Sequence, residues 1–103
     1  MKEDLLKIIE HYGVNAQQRQ FAEEVFELQE AITQHELKES VSYEIPLTEL
    51  TDTREHIAEE IADVLVLLFQ FNEYYGLDID DISKMMDNKI KRQLERIKNE
   101  VKE

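Results

Sequence analysis

The sequence contains no cysteine. That excludes disulfides and thiolate metal ligands and leaves the redox compartment open. Two glycines and one proline supply few breaks, a scarcity that disfavours an array of short strands joined by turns and favours long helices. Long apolar runs are absent too. The longest, Val64 to Phe71, is interrupted by Gln70 and falls well short of the ~20 residues that span a bilayer. Positive charge is scarce: 12 Lys and Arg face 24 Asp and Glu, a net charge of −12. A nucleic-acid polymer or an anionic membrane would be repelled as a general partner. A small anionic substrate stays admissible if metal ions mediate the contact. Residues 1–13 are amphipathic with early acids, unlike a secretory signal, so a cytoplasmic location is the default expectation.

What the chain does have is apolar periodicity. Its hydrophobic fraction of 42% is too high for a disordered chain despite 35% charged residues. A length of 103 residues suggests one domain over residues 1–103, small enough that pairing helices between subunits would enlarge its core. Leu5, Leu6, Ile8, Ile9 and Tyr12 predict a first helix from about Lys2 to Tyr12, stopped by Gly13. Asn15 is the expected N-cap of a second helix, whose stripe is Phe21, Val25, Leu28 and Ile32 and which fades near Lys38. Val41, Tyr43 and Ile45 then alternate with polar residues before Pro46. Residues 41–46 therefore read as a loop or a short β-arm. Thr51, Asp52 or Thr53 is the expected cap of a third helix running to about Tyr75, with Gly76 at its C′ position. That helix is apolar almost all round from Ile61 to Phe71 and should be the most buried. Asp78 caps a fourth, with Asp80 and Asp81 in its first turn and an apolar stripe through Ile82, Ile90, Leu94, Ile97 and Val101. The fold class expected is all-α, a four-helix, bundle-like protomer that oligomerises through its helices.

Asp63 carries the most chemical information. It sits within Ile61-Ala62-Asp63-Val64-Leu65, where an ionised carboxylate is costly without a cation or hydrogen bonds. Glu60, three residues earlier, shares its face. Asp63 has no basic residue three or four positions away, so the pair either holds a proton at raised pKa or binds a metal. Glu24 and Glu27 stand in the same relation on the second helix, in a polar ribbon with Gln17 and Gln20. Packed antiparallel, the two helices would set four carboxylates face to face. Such an all-oxygen set suits Mg²⁺, or Mn²⁺, over a thiolate-seeking metal. In so acidic a chain an ExxE pair also arises by chance as a solvated face, and Asp63 could pair with a core Lys or Arg. The apolar setting of the second pair is what favours the metal.

The runs Glu23-Glu24-Val25-Phe26-Glu27-Leu28 and Glu59-Glu60-Ile61-Ala62-Asp63 resemble the EExxEL and EExxD motifs of the MazG-like, all-α nucleoside triphosphate pyrophosphohydrolases. Tyr12-Gly13 and Gln17 are similar to small phage and Firmicute members, and residues 88–96 resemble the family's basic segment. The resemblance spans about residues 12–97. It implies hydrolysis of a nucleoside triphosphate to the monophosphate and pyrophosphate, as in house-cleaning of non-canonical nucleotides, by a homodimer or homotetramer. It also implies Mg²⁺ on Glu24, Glu27, Glu60 and Asp63, and Glu23 as the base for the attacking water. Gln17, Lys89, Arg92 and Arg96 would bind substrate. The interval from Glu27 to Glu60 is longer than in typical compact members.

The same mechanism has support from charge alone: an acidic pocket repels a polyphosphate unless metal bridges the two. The dipole at their helix's C-terminus accounts for some of the basic residues. His56 reads as a first-turn surface residue, Tyr74 and Tyr75 as core edge or interface, and Met85 and Met86 as packing. The alternatives are a non-catalytic helical interaction or regulatory module, or a related branch, dUTPase-like or phosphoribosyl-ATP pyrophosphatase-like.

Overall fold

The structure, a computed structural model, describes residues 1–41 and 46–102. It contains four helices: α1 (Lys2–Tyr12), α2 (Val14–Glu39), α3 (Leu47–Tyr74) and α4 (Ile79–Lys102). No strand occurs among the described residues. The expected β-arm falls mainly on residues 42–45, which lie outside them; Val41 sits in a turn after α2, its N–H on the Lys38 carbonyl.

Gly13 alone separates α1 from α2. Its φ of 91° is open to glycine and strained for other residues. Its N–H closes α1 on the Ile9 carbonyl, and its own carbonyl accepts the first α2 bond from Gln17. Helix α2 therefore starts at Val14, and the expected cap, Asn15, lies inside it. The start of α3 also differs from expectation. Pro46 precedes it, and Thr51 and Thr53 bond back to the Leu47 and Leu50 carbonyls instead of capping.

The end of α3 is as the sequence indicates. Gly76 has φ 63°, its N–H meets the Glu73 carbonyl, and the Leu77 N–H meets that of Asn72. This paired closure is a Schellman motif. Asp78 then caps α4, accepting the Asp80 N–H at 2.9 Å.

Helices α1, α2 and α3 pack together, with α2 and α3 the principal pair. Gln17 of α2 meets Gln70 of α3, and His35 of α2 meets Thr53 of α3, so the two run antiparallel. The buried apolar residues are Leu5, Ile9, Ala31 and Leu67. Most of the apolar girdle of α3 is not enclosed within one chain: Ile61, Leu65 and Leu68 are each more than 40% exposed. Helix α4 makes only marginal contact with the others, so three of the four helices bundle and the fourth projects. The radius of gyration is 18.0 Å, against about 13 Å for a compact chain of this length.

Candidate active site

Two polar seams face each other between α2 and α3. On α2 the seam is Gln17, Gln20, Glu24, Glu27, Ala31 and Gln34; on α3 it is Thr53, His56, Glu60, Asp63, Leu67 and Gln70. Each advances by alternating steps of three and four residues, the 3.5-residue repeat that keeps one face against a partner helix. The Gln17–Gln70 pair fixes the register. It brings Glu24 level with Glu60 and Asp63, with Glu27 close by.

Carboxylate oxygens of Glu24, Glu60 and Asp63 lie within 4.8 Å of one another. Gln20 Nε2 donates to Glu24 Oε1 at 2.8 Å, and His56 Nε2 stands 4.0 Å from Glu60 Oε1. The other oxygens, Glu24 Oε2 and Glu60 Oε2, are buried without a hydrogen-bond partner. Glu60 is 8% exposed. Burial is the main reason its carboxyl is held above the ordinary glutamate value, followed by the close approach of Glu24 and the other negative charges around it. Glu27 is raised as well, chiefly by the negative charge of Glu24. Two orphaned anionic oxygens within an all-oxygen cluster are a donor set that a hard divalent cation satisfies. The residues present fit such an ion.

The expected ligands are thus brought together with one change of emphasis. Glu24, Glu60 and Asp63 form the tight group, and Glu27 stands beside it, its carboxyl raised chiefly by the charge of Glu24. Asp63, expected to be the buried acid, is exposed in the single chain; Glu60 is the buried one. The three residues from Glu60 to Asp63 fall about 60° short of a full helical turn, which leaves Asp63 at the open edge of the seam. Glu23 is exposed on α2 and near enough to contribute to raising Glu27. Gln17 is buried, its amide donating to Gln70 Oε1 at 2.8 Å. Lys89, Arg92 and Arg96 share one basic hollow with Gln93, formed by α4 alone and not by the carboxylate-bearing helices.

The sequence reading leaves Gln70 out of the site and makes His56 a surface residue, which it is. Gln70 is 2% exposed and closes one end of the seam. His56 flanks Glu60. The signal for Gln70 was the 3.5-residue recurrence of seam positions on α3, masked by the apolar residues between them. Toward Lys38 the seam opens into a groove of about 460 Å³ that reaches Glu27 and Glu60 and is lined by Ala31, Gln34, Thr53 and His56.

The MazG nucleotide pyrophosphohydrolase domain matches residues 14–98. The chain belongs to this family. The match takes in both acidic motifs and the basic stretch of α4, so the seam described above is the MazG domain's own helix pair. No curated protein and no solved structure matches the chain. No described helix is long and apolar enough to cross a membrane.

Proposed function

We propose that this MazG domain hydrolyses a nucleoside triphosphate between its α- and β-phosphates in a Mg²⁺-dependent reaction, releasing a nucleoside monophosphate and pyrophosphate in the cytoplasm. The observation that carries the reading is the pair of buried, unpartnered oxygens on Glu24 and Glu60 beside Asp63. Glu24, Glu60 and Asp63, with Glu27 alongside, would hold the cation, with Mn²⁺ an admissible substitute. When bound, such an ion supplies charge neutralisation for the polyphosphate and lowers the pKa of water.

The chain's own groups account for the rest. Glu23, exposed to solvent and next to Glu24, takes the proton of the water whose oxygen attacks the α-phosphorus. The α–β bridging oxygen leaves with the pyrophosphate. Lys89, Arg92 and Arg96 neutralise that leaving group. Because they lie on a projecting helix, they reach a carboxylate cluster through assembly of two or more copies. The half-exposed apolar row of α2 and α3, with Val25, Ile32, Ile61 and Leu68, supplies the surface for a homodimer, or for the half of a homotetramer. Gln17 keeps one amide proton beyond its bond to Gln70, and would donate it to a phosphate oxygen of the substrate.

The test is a nucleotide panel with Mg²⁺, reading pyrophosphate against orthophosphate. Pyrophosphate release is expected. Orthophosphate alone would move the cleaved bond, and no turnover of any nucleotide would return the chain to the class of non-catalytic helical modules.

A further inference from the structure

The last turns of α2 carry a second group of metal-competent side chains, apart from the acidic cluster. Ligand atoms of His35, Glu36 and Glu39 lie within 4.8 Å of one another. Eight residues, or about 12 Å along the helix, separate His35 from Glu27. His35 is 8% exposed. Its Nδ1 lies 2.7 Å from Thr53 Oγ1 on α3, and its Nε2 lies 2.9 Å from Glu39 Oε2.

The hydrogen bonds decide which ring nitrogen carries a proton. Thr53 has a single hydroxyl proton and gives it to the Leu50 carbonyl at 2.9 Å. Its oxygen can therefore only accept from His35, so Nδ1 is protonated. The neutral ring then has its lone pair on Nε2, directed at a carboxylate. The buried imidazole is thus an acceptor aimed into the cluster with no donor to meet it. Two acceptors at this distance are unfavourable unless a cation joins them. A second ring proton would serve Glu39 alone and leave the charge of Glu36, converging on the same point, unmatched. Lys38 does not match it either. At about 100° per residue, Glu39 and Glu36 project about 40° and 100° to one side of His35, and Lys38 about 60° to the other. Lys38 joins no ion pair among the described residues.

We infer that His35, Glu36 and Glu39 form a second cation site, for a divalent transition-metal ion such as Zn²⁺. His35 Nε2 and one oxygen each of Glu36 and Glu39 are the ligands, with the remaining position open to water. The imidazole makes the choice of ion: a mixed nitrogen and oxygen set suits Zn²⁺, whereas Mg²⁺ takes oxygen ligands. Two ligands about 2.1 Å from one ion stand roughly 3.0–3.4 Å apart, so Glu39 reaches that geometry by a small side-chain shift. Thr53 is the outer partner that holds the ring in orientation. Because Thr53 belongs to α3, an ion here ties the end of α2 to the start of α3. The inference does not depend on the proposed hydrolysis.

The test is calorimetric titration of Zn²⁺ into the full chain with Mg²⁺ in excess, repeated in the Glu60→Gln variant. The repeat separates this site from zinc held by the acidic cluster. One ion per chain should bind in both. Glu39→Gln and Glu36→Gln should each weaken that binding, and Thr53→Val should weaken it by about tenfold to 100-fold. His35→Gln should abolish it; Glu36 and Glu39 are exposed, so their variants remain informative if a change at the buried histidine impairs folding. Imidazole nitrogen NMR gives a second readout: zinc in excess Mg²⁺ should shift the Nε2 resonance that is missing from His35→Gln. No zinc uptake in excess Mg²⁺, uptake lost in Glu60→Gln, or uptake unchanged by Glu39→Gln overturns the inference and makes His35 and Glu39 an ordinary ion pair.

Discussion

Gln17 Nε2 donates to Gln70 Oε1 at 2.8 Å across the α2–α3 interface, both residues being buried. This single bond sets the register that brings Glu24 level with Glu60 and Asp63. It also seals the seam on one side of the carboxylates. Gln17→Ala strands the Gln70 amide in a buried site, and should cost about 1–3 kcal/mol in urea unfolding. The double variant Gln17→Leu with Gln70→Leu should recover most of that loss. Additive losses in the double variant would mean that the bond does not couple the two helices.

Asp63→Asn should reduce pyrophosphate release to background while circular dichroism stays helical. The amide keeps the size of the side chain but removes an anionic donor from the cluster. Undiminished turnover in this variant would rule out the assignment of Asp63 as a ligand.

Magnesium should raise the melting temperature of the native chain, since it binds only where folding has assembled Glu24, Glu60 and Asp63. Chelation with EDTA should reverse the gain. Glu60→Gln should abolish it. A melting temperature that stays flat into the millimolar range counts against a metal site.

The pH dependence has a definite sign. Glu27 and Glu60 bind protons more tightly in the folded chain than at the ordinary value of 4.5. Their contribution to stability is therefore fully present below 4.5 and is lost as pH rises through the raised folded values. The metal-free protein should lose stability as pH climbs through that window. Magnesium takes the place of those protons, so its stabilisation should be larger at about pH 8 than at about pH 5.5. Thermal melts at both pH values check this; a magnesium increment independent of pH would contradict it.

Leu68→Glu places a charge on the half-exposed apolar row of α3, where Leu68 is 44% exposed in the single chain. If that row is covered by a second copy, the variant should shift sedimentation toward the monomer and weaken self-association about 30-fold, the equivalent of ~2 kcal/mol. Activity should fall with it, because Lys89, Arg92 and Arg96 would lose their route to a carboxylate cluster. Unaltered sedimentation would remove the assembly argument.

The sequence alone determined what depends on neighbours along the chain. The spans of the helices apart from the start of α3, the Gly13 and Gly76 breaks, the Asp78 cap and the i, i+3 spacing of Glu24 with Glu27 and of Glu60 with Asp63 were legible. Each follows from a 3.6-residue repeat, a capping side chain or a positive φ, and these are local. The start of α3 was misread for a local reason as well: threonine hydroxyls serve equally as caps or as back-bonded groups, and only the residues before them decide. What tertiary structure decided is which face of each helix meets another. The apolar rows through Val25, Ile32, Ile61 and Leu68 look like core in the sequence, yet the α2–α3 contact runs along the polar seam beside them. That choice buried Glu60 instead of Asp63, closed the seam at Gln70 and opened it at Ala31. It also left α4 with its basic edge apart from the site. Periodicity gives each helix its faces; the antiparallel register, a relation between residues 18 to 53 positions apart, determines which of them meet.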